Sequence, residues 1–197
     1  MSNHTGIDKS IISKYLQNLE EIRIIKKEHP LTDKKEKRKN SRYDFQDNYF
    51  RFWFRFIYPG KSQIERGAGG AFETMKQNYG AYQGFIFEKT AAEFLWKTMP
   101  FHFTKLGRWW HKDIEIDLIA LNEEQKEIFF FECKWKQLKE ETARRILEKL
   151  KQKSKYVDWH KDKRKEHYGL IAKQVENKGN LQKEGYMVFD LDDFCQP

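Results

Sequence analysis

Hydrophobic and polar positions change rhythm several times along these 197 residues. From Asp8 the apolar residues Ile12, Tyr15, Leu16, Leu19 and Ile22 recur at helical spacing, with Ile7 and Ile12 placed as a hydrophobic staple around an Asp8 cap. A short strand over Arg23 to Lys27 follows. Pro30 then opens the charged stretch LTDKKEKRKN, and a second strand-like run covers Ser41 to Phe45. Asn48 to Tyr58 reads two ways. Phe50, Phe52, Phe54 and Phe56 alternate as on a strand, whereas Arg51 and Arg55 stand four apart behind a capping residue, Asp47. Pro59-Gly60 marks a boundary, and Gly67, Gly69, Gly70 and Gly80 predict a broken connector.

Beyond the connector, Phe87, Ala91, Phe94 and Leu95 form a buried helical stripe with Glu88 beside it. After Pro100, Arg108 to His111 reads as a short strand. Ile114 to Leu121 and Glu127 to Trp135 are β-rich runs joined by the polar stretch Asn122 to Lys126, which predicts a hairpin. Glu141 to Val157 is an amphipathic helix. Ala143, Ile146, Leu147, Leu150 and Val157 face a sheet, and Arg144, Arg145, Lys149, Lys151, Lys153 and Lys155 spread over exposed flanks. His167 to Lys173 and Tyr186 to Leu191 are further strands, separated by a polar loop that includes Glu176 to Asn180. The chain therefore divides into residues 1–60, a connector over 61–80 and a domain of typical size over 81–197.

The hairpin carries the candidate chemistry. Side chains alternate along a strand, so Glu132 and Lys134 point one way while Phe131, Cys133 and Trp135 point the other. If Asp117 lies near Glu132 across the hairpin, two carboxylates approach closely enough to repel, and a hard divalent ion such as Mg²⁺ relieves that repulsion through oxygen ligation. Lys134 then stands where it can position an attacking water and offset charge developing on phosphorus. With Glu88 on the upstream helix, this is the layout of a metal-dependent phosphodiesterase centre. Acids and lysines also alternate along solvated hairpins, so the motif needs its context. Glu115 shares a strand face with Asp117 and is either a spare acid or the partner of a lysine. His111 is a lone histidine and reads as structural.

Charge and composition narrow the field. The formal net charge is +8, with 13 Lys or Arg against 8 Asp or Glu in residues 1–60. A basic N-terminal third fits attraction to phosphate. The two cysteines, Cys133 and Cys195, form neither a disulfide framework nor a metal-spaced set, which points to a reducing cytosol. No run approaches the length of a membrane span, and MSNHTGIDKS lacks the apolar core of a signal peptide.

The stretches YDFQDNYFRFWFRFIYPG, GFIFEKTAAEFL, LGRWWHKDIEIDLIAL and FFFECKWK resemble the C-terminal domain of archaeal-type ATPases, a domain of unknown function in the PD-(D/E)XK nuclease superfamily. The resemblance covers nearly the whole chain. It implies an α/β, restriction-endonuclease-like αβββαβ core with a mixed central sheet, preceded by a partial winged-helix segment. It tips Asn48 to Tyr58 towards helix. It also implies Mg²⁺ or Mn²⁺ held by Asp117, Glu132, the Cys133 backbone carbonyl and Glu88, with Lys134 activating or orienting water for hydrolysis of DNA. Gln152 and Tyr156 match the Gln-x-x-x-Tyr spacing of one branch of that superfamily, a match better put down to chance. In the winged-helix reading Lys34, Lys35, Lys37, Arg38 and Lys39 stand at the wing tip and contact nucleic acid.

Such family members carry a P-loop ATPase ahead of the winged helix, and this chain has no G-x-x-x-x-G-K-[ST] motif. The expectation is a truncated or split member, or one read from an internal start at Met1, in the cytoplasm, acting on DNA with a P-loop ATPase in trans. The alternative is a non-catalytic nucleic-acid-binding or docking module. The incomplete winged helix leaves part of the face formed by Ile12, Leu16 and Leu19 uncovered, which favours self-association or a partner.

Overall fold

The computed structural model describes residues 6–33, 40–67 and 69–194. They form two compact units, one drawn from 1–28 and 41–79, the other from 29–40 and 80–197.

In the first unit, Asp8 accepts the Ser10 N–H at 2.8 Å and caps α1 (Lys9–Glu21), as its sequence predicts. Ile12, Leu16 and Leu19 are half-buried, and Ile11, Tyr15 and Ile22 are exposed. Arg23 follows with φ 59°, so the first strand starts two residues later than its β-propensity suggests. That strand, β1 (Ile25–Glu28), pairs antiparallel with β2 (Arg42–Phe45), Ile25 opposite Phe45. The wing residues Lys34, Lys35, Lys37, Arg38 and Lys39 lie outside the described residues.

The ambiguous aromatic segment is helical. Asp47 accepts the Tyr49 N–H at 2.7 Å and starts α2 (Asn48–Phe52), which widens into a π-turn over Trp53–Ile57 and tightens at Tyr58–Gly60. After α3 (Lys61–Glu65) comes α4 (Gly70–Thr98), 29 residues long. The expected broken connector is thus helical from Gly70 onward. Gly80 and Gly84 cost helix propensity of about 1 kcal/mol each relative to alanine, but a Cβ at either would meet nothing within 4 Å, and neither breaks the helix.

The second unit takes α4 from Gly80 and adds β3 (Lys105–His111), β4 (Ile114–Asn122), β5 (Glu127–Leu138), α5 (Glu140–Ser154), β6 (Lys165–Val175), α6 (Lys178–Lys183), β7 (Met187–Phe189) and α7 (Leu191–Phe194). The sheet runs β3-β4-β5-β6-β7, with β3, β4 and β5 antiparallel and β6 and β7 added parallel to β5. This is the αβββαβ core with a mixed sheet that the family resemblance implies. Part of the expected polar loop forms α6, entered through Asn177 at φ 52°, a conformation asparagine tolerates.

Central β5 is apolar on both faces because both are covered. Phe129, Phe131 and Cys133 pack with Phe87, Ala91 and Leu95 of α4, while Ile128 and Phe130 pack with Leu150 of α5. The ring of Phe131 lies against Gly169 on β6, where a Cβ would overlap the ring and stand 2.7 Å from the Met187 carbonyl oxygen. Phe194 of α7 stacks on Phe94 at 4.1 Å. The free edge of β3 is closed by the segment just after β1: the Leu31 N–H donates to the Arg108 carbonyl at 2.9 Å, and the Trp110 indole N–H donates to the Asn40 carbonyl at 2.9 Å. Among the described residues no helix is long and apolar enough to cross a membrane.

Candidate active site

The β4–β5 ladder ends at Leu118 and Phe131, one step short of the pair that would follow, Asp117 opposite Glu132. The strands part there, and a side chain takes over from the backbone: the Cys133 N–H donates to Asp117 Oδ2 at 2.8 Å. An extra residue sits on each flank. Between Gly107/Ile119 and Trp109/Ile116, Asp117 and Leu118 together oppose Arg108, and beyond Lys134/Ala172 the strand β5 gains one residue over β6 before Gln137/Gln174. Bulges re-aim side chains and end pairing, and here they bracket the acidic residues.

Glu132 is buried, its side chain only 6% exposed, and a carboxylate so placed must be paired. Lys134 Nζ donates to its Oε2 at 2.7 Å and to Asp117 Oδ2 at 3.1 Å, so one ammonium joins the two acids. Lys153, reaching from α5, donates to the other oxygen, Oε1. Burial alone would lower the pKa of Lys134. The charges of Asp117 and Glu132 outweigh it and hold the ammonium above the ordinary lysine range.

Glu88 arrives from the opposite face of the sheet on α4, beside the buried stripe of Phe87, Ala91 and Leu95. Its Oε2 is buried and makes no hydrogen bond, although the Arg108 guanidinium lies 3.3 Å away without being oriented to donate. Burial first, and then the charge of Asp117, push its carboxyl up to about 7 against the pull of Arg108 and Lys134. Arg108 also stands 3.8 Å from Glu115, so that acid pairs with an arginine. Cys133 is free and buried, and burial raises its thiol well above the usual range; it offers the site its backbone, not its sulfur.

The structure thus gathers Asp117, Glu132, Lys134 and the Cys133 backbone, with Glu88 coupled to Asp117 through its charge. Among the described residues no three His, Cys, Asp or Glu side chains form a ready cation cage. His111 ends β3 opposite Ile114 and is exposed, and Gln152 and Tyr156 are exposed on and just after α5. Lys153 corrects the sequence reading, which put it on an exposed flank of the helix. The signal was present in the spacing: Lys153 lies three residues after Leu150 and seven after Ile146, on the stripe that packs against the sheet.

The DUF234 family, described as archaea bacterial proteins of unknown function, matches residues 53–146. An uncharacterized protein of Methanocaldococcus jannaschii, MJECL04, is 41% identical over 199 residues, covering 98% of this chain and 44% of that protein. The chain thus spans less than half the length of that curated relative. Among solved structures, a repair endonuclease from Pyrococcus abyssi aligns with a TM-score of 0.35 and 14% identity, over 53% of this chain and 46% of the other. An EndoMS–dsDNA complex aligns with a TM-score of 0.32 and 16% identity, over 53% of this chain and 44% of the other. Structural similarities of this size say nothing about activity. From sequence, the chain is similar to the DUF234 proteins through its aromatic helix, its Glu88 helix and its Asp117 and Glu132 strands.

Proposed function

We propose that the second unit is a metal-dependent nuclease that hydrolyses DNA phosphodiester bonds, with Asp117, Glu132, Lys134 and Glu88 as its working residues. The observation that carries this reading is the convergence of Asp117 and Glu132 on one ammonium where β4 and β5 part.

The donor set suits a hard cation such as Mg²⁺ or Mn²⁺. Three carboxylates supply oxygens, Asp117 Oδ1 carries neither of the hydrogen bonds to Oδ2, and Glu88 Oε2 is buried without one. Asp117, Glu132, Glu88 and the Cys133 carbonyl would hold the ion. Bound there, it would lower the pKa of a water and stabilise negative charge at phosphorus. The chain does the rest. The Cys133 N–H fixes the Asp117 carboxylate. Lys134, held in its ammonium form, donates a hydrogen bond and a positive charge to the attacking water or to a phosphate oxygen. Glu88, whose carboxyl burial raises to about 7, would give up its proton on taking the ion. Lys34, Lys35, Lys37, Arg38 and Lys39 of the winged-helix segment supply sequence-independent phosphate contacts. A P-loop ATPase acting in trans, in the cytoplasm, belongs to the same reading.

Incubation of supercoiled plasmid with Mg²⁺ or Mn²⁺ tests it. Asp117→Asn keeps an acceptor for the Cys133 N–H and is expected to keep the fold; it and Lys134→Met should each lose nicking by about a hundredfold or more, and EDTA should abolish it. DNA binding without cleavage would favour a non-catalytic nucleic-acid-binding or docking module, the reading supported by the two ammoniums that already engage both oxygens of Glu132. Absence of metal binding in the wild type would remove the metal centre altogether.

A further inference from the structure

We infer that Lys153 is an internal counter-ion that competes with a divalent cation for Glu132, so that metal entry requires its release. The inference rests on the metal-centre reading above and adds a residue which that reading does not contain.

Both oxygens of Glu132 are engaged, Oε2 by Lys134 and Oε1 by Lys153. An ion bound to this carboxylate at about 2.1 Å needs one of those oxygens and repels both ammoniums. The two lysines are not held equally. Lys134 lies between two acids, with Asp117 as its second partner at 3.1 Å, and it extends from the central strand. Among the described residues Lys153 has Glu132 as its one ion-pair partner, and it projects from the last turn of α5. Its long stem can swing to water, where an ammonium is well hydrated. Lys153 is therefore the ammonium that yields.

The neighbourhood supports a positioned lysine instead of a chance contact. Arg164, its side chain fully buried, donates to the carbonyls of Ser154, Val157 and Trp159 and so pins the end of α5 one residue beyond Lys153. Ser154 is buried and hydrogen-bonds the Tyr168 hydroxyl at 3.0 Å. The helix end is fixed from two sides, and only the lysine stem is left to move. Without an ion, the role of Lys153 is to pair with a buried carboxylate and hold it in place.

Calorimetric titration of Mg²⁺ and of Mn²⁺ alone into the full chain tests the inference by its sign. Removing one unit charge beside the ion, in Lys153→Met, should tighten cation binding by about tenfold. Lys153→Arg keeps the charge and should bind no tighter than the wild type, and Lys153→Gln, which keeps a hydrogen-bond donor, should behave as Lys153→Met and serves if the latter fails to fold. Loss of the heat in Asp117→Asn assigns it to this site. A purely structural Lys153 predicts the opposite sign, since Glu132 would loosen and binding would weaken. Wild-type binding with equal or weaker binding in Lys153→Met and Lys153→Gln overturns the counter-ion role and leaves the metal centre standing. No cation heat in any of the proteins overturns both.

Discussion

Glu88 is a carboxyl whose proton affinity the fold changes strongly. Its carboxyl sits at about 7 instead of 4.5, so between those values the folded chain holds a proton that the unfolded chain has released. Stability therefore falls as pH rises from 4.5 to about 7 and is unaffected by this group outside that window. Glu88→Gln mimics the protonated form at every pH. Urea denaturation should show it matching the wild type near pH 4.5 and gaining on it by up to about 3 kcal/mol near pH 7.5; curves that stay parallel would mean that Glu88 titrates normally. If the site binds a cation, affinity should rise across the same window, because the ion takes the carboxylate. Glu88, Asp117, Glu132 and Lys134 were legible from the sequence because strand alternation and one helical stripe place them. Arg108 was not, because a long cationic side chain reads as solvated until a buried acid is known to face it, and for the same reason the spacing that places Lys153 on the packed stripe was passed over.

Among the elements, the hairpin, α5 and the β-rich runs were legible because their periodicities are unambiguous. α4 was not, because Gly80 and Gly84 read as breaks while a 29-residue helix absorbs them. The bulges beside Asp117 and after Lys134 have no sequence signature; they arise from mismatched strand registers. Two substitutions probe what holds the sheet and helix in register. Gly169→Ala forces its methyl against the Phe131 ring and the Met187 carbonyl and should cost about 1–3 kcal/mol or more, as overpacking does. Arg164→Met strips the end of α5 of a buried donor to three carbonyls and should cost about 3 kcal/mol. Chemical denaturation with an unchanged m-value would confirm that each acts on the native state.

For the molecule as a whole, charge and chain layout matter more than any one contact. The net charge of +8 is concentrated in residues 1–60, and if the wing contacts phosphate, DNA affinity should fall steeply with salt. Replacing Lys34, Lys35, Lys37, Arg38 and Lys39 together by serine should reduce the slope of log K against log salt by up to about 4.5, read by fluorescence anisotropy over a salt series. The place of the segment after β1 was not legible. It returns to cover β3 in the second unit, a long-range pairing through Leu31 and Asn40 that no local pattern announces.

The place of β5 between an antiparallel and a parallel neighbour also orders the assembly of the site in time. β3, β4 and β5 are consecutive in the chain, so Asp117, Glu132 and Lys134 meet through short loop closures. Lys153 joins when α5, the next element after β5, docks on the sheet. Contacts that form after the rate-limiting step change unfolding more than folding. Stopped-flow measurements on Lys153→Met should accordingly show faster unfolding at a nearly unchanged refolding rate, whereas substitutions within the β3–β4–β5 meander slow refolding itself.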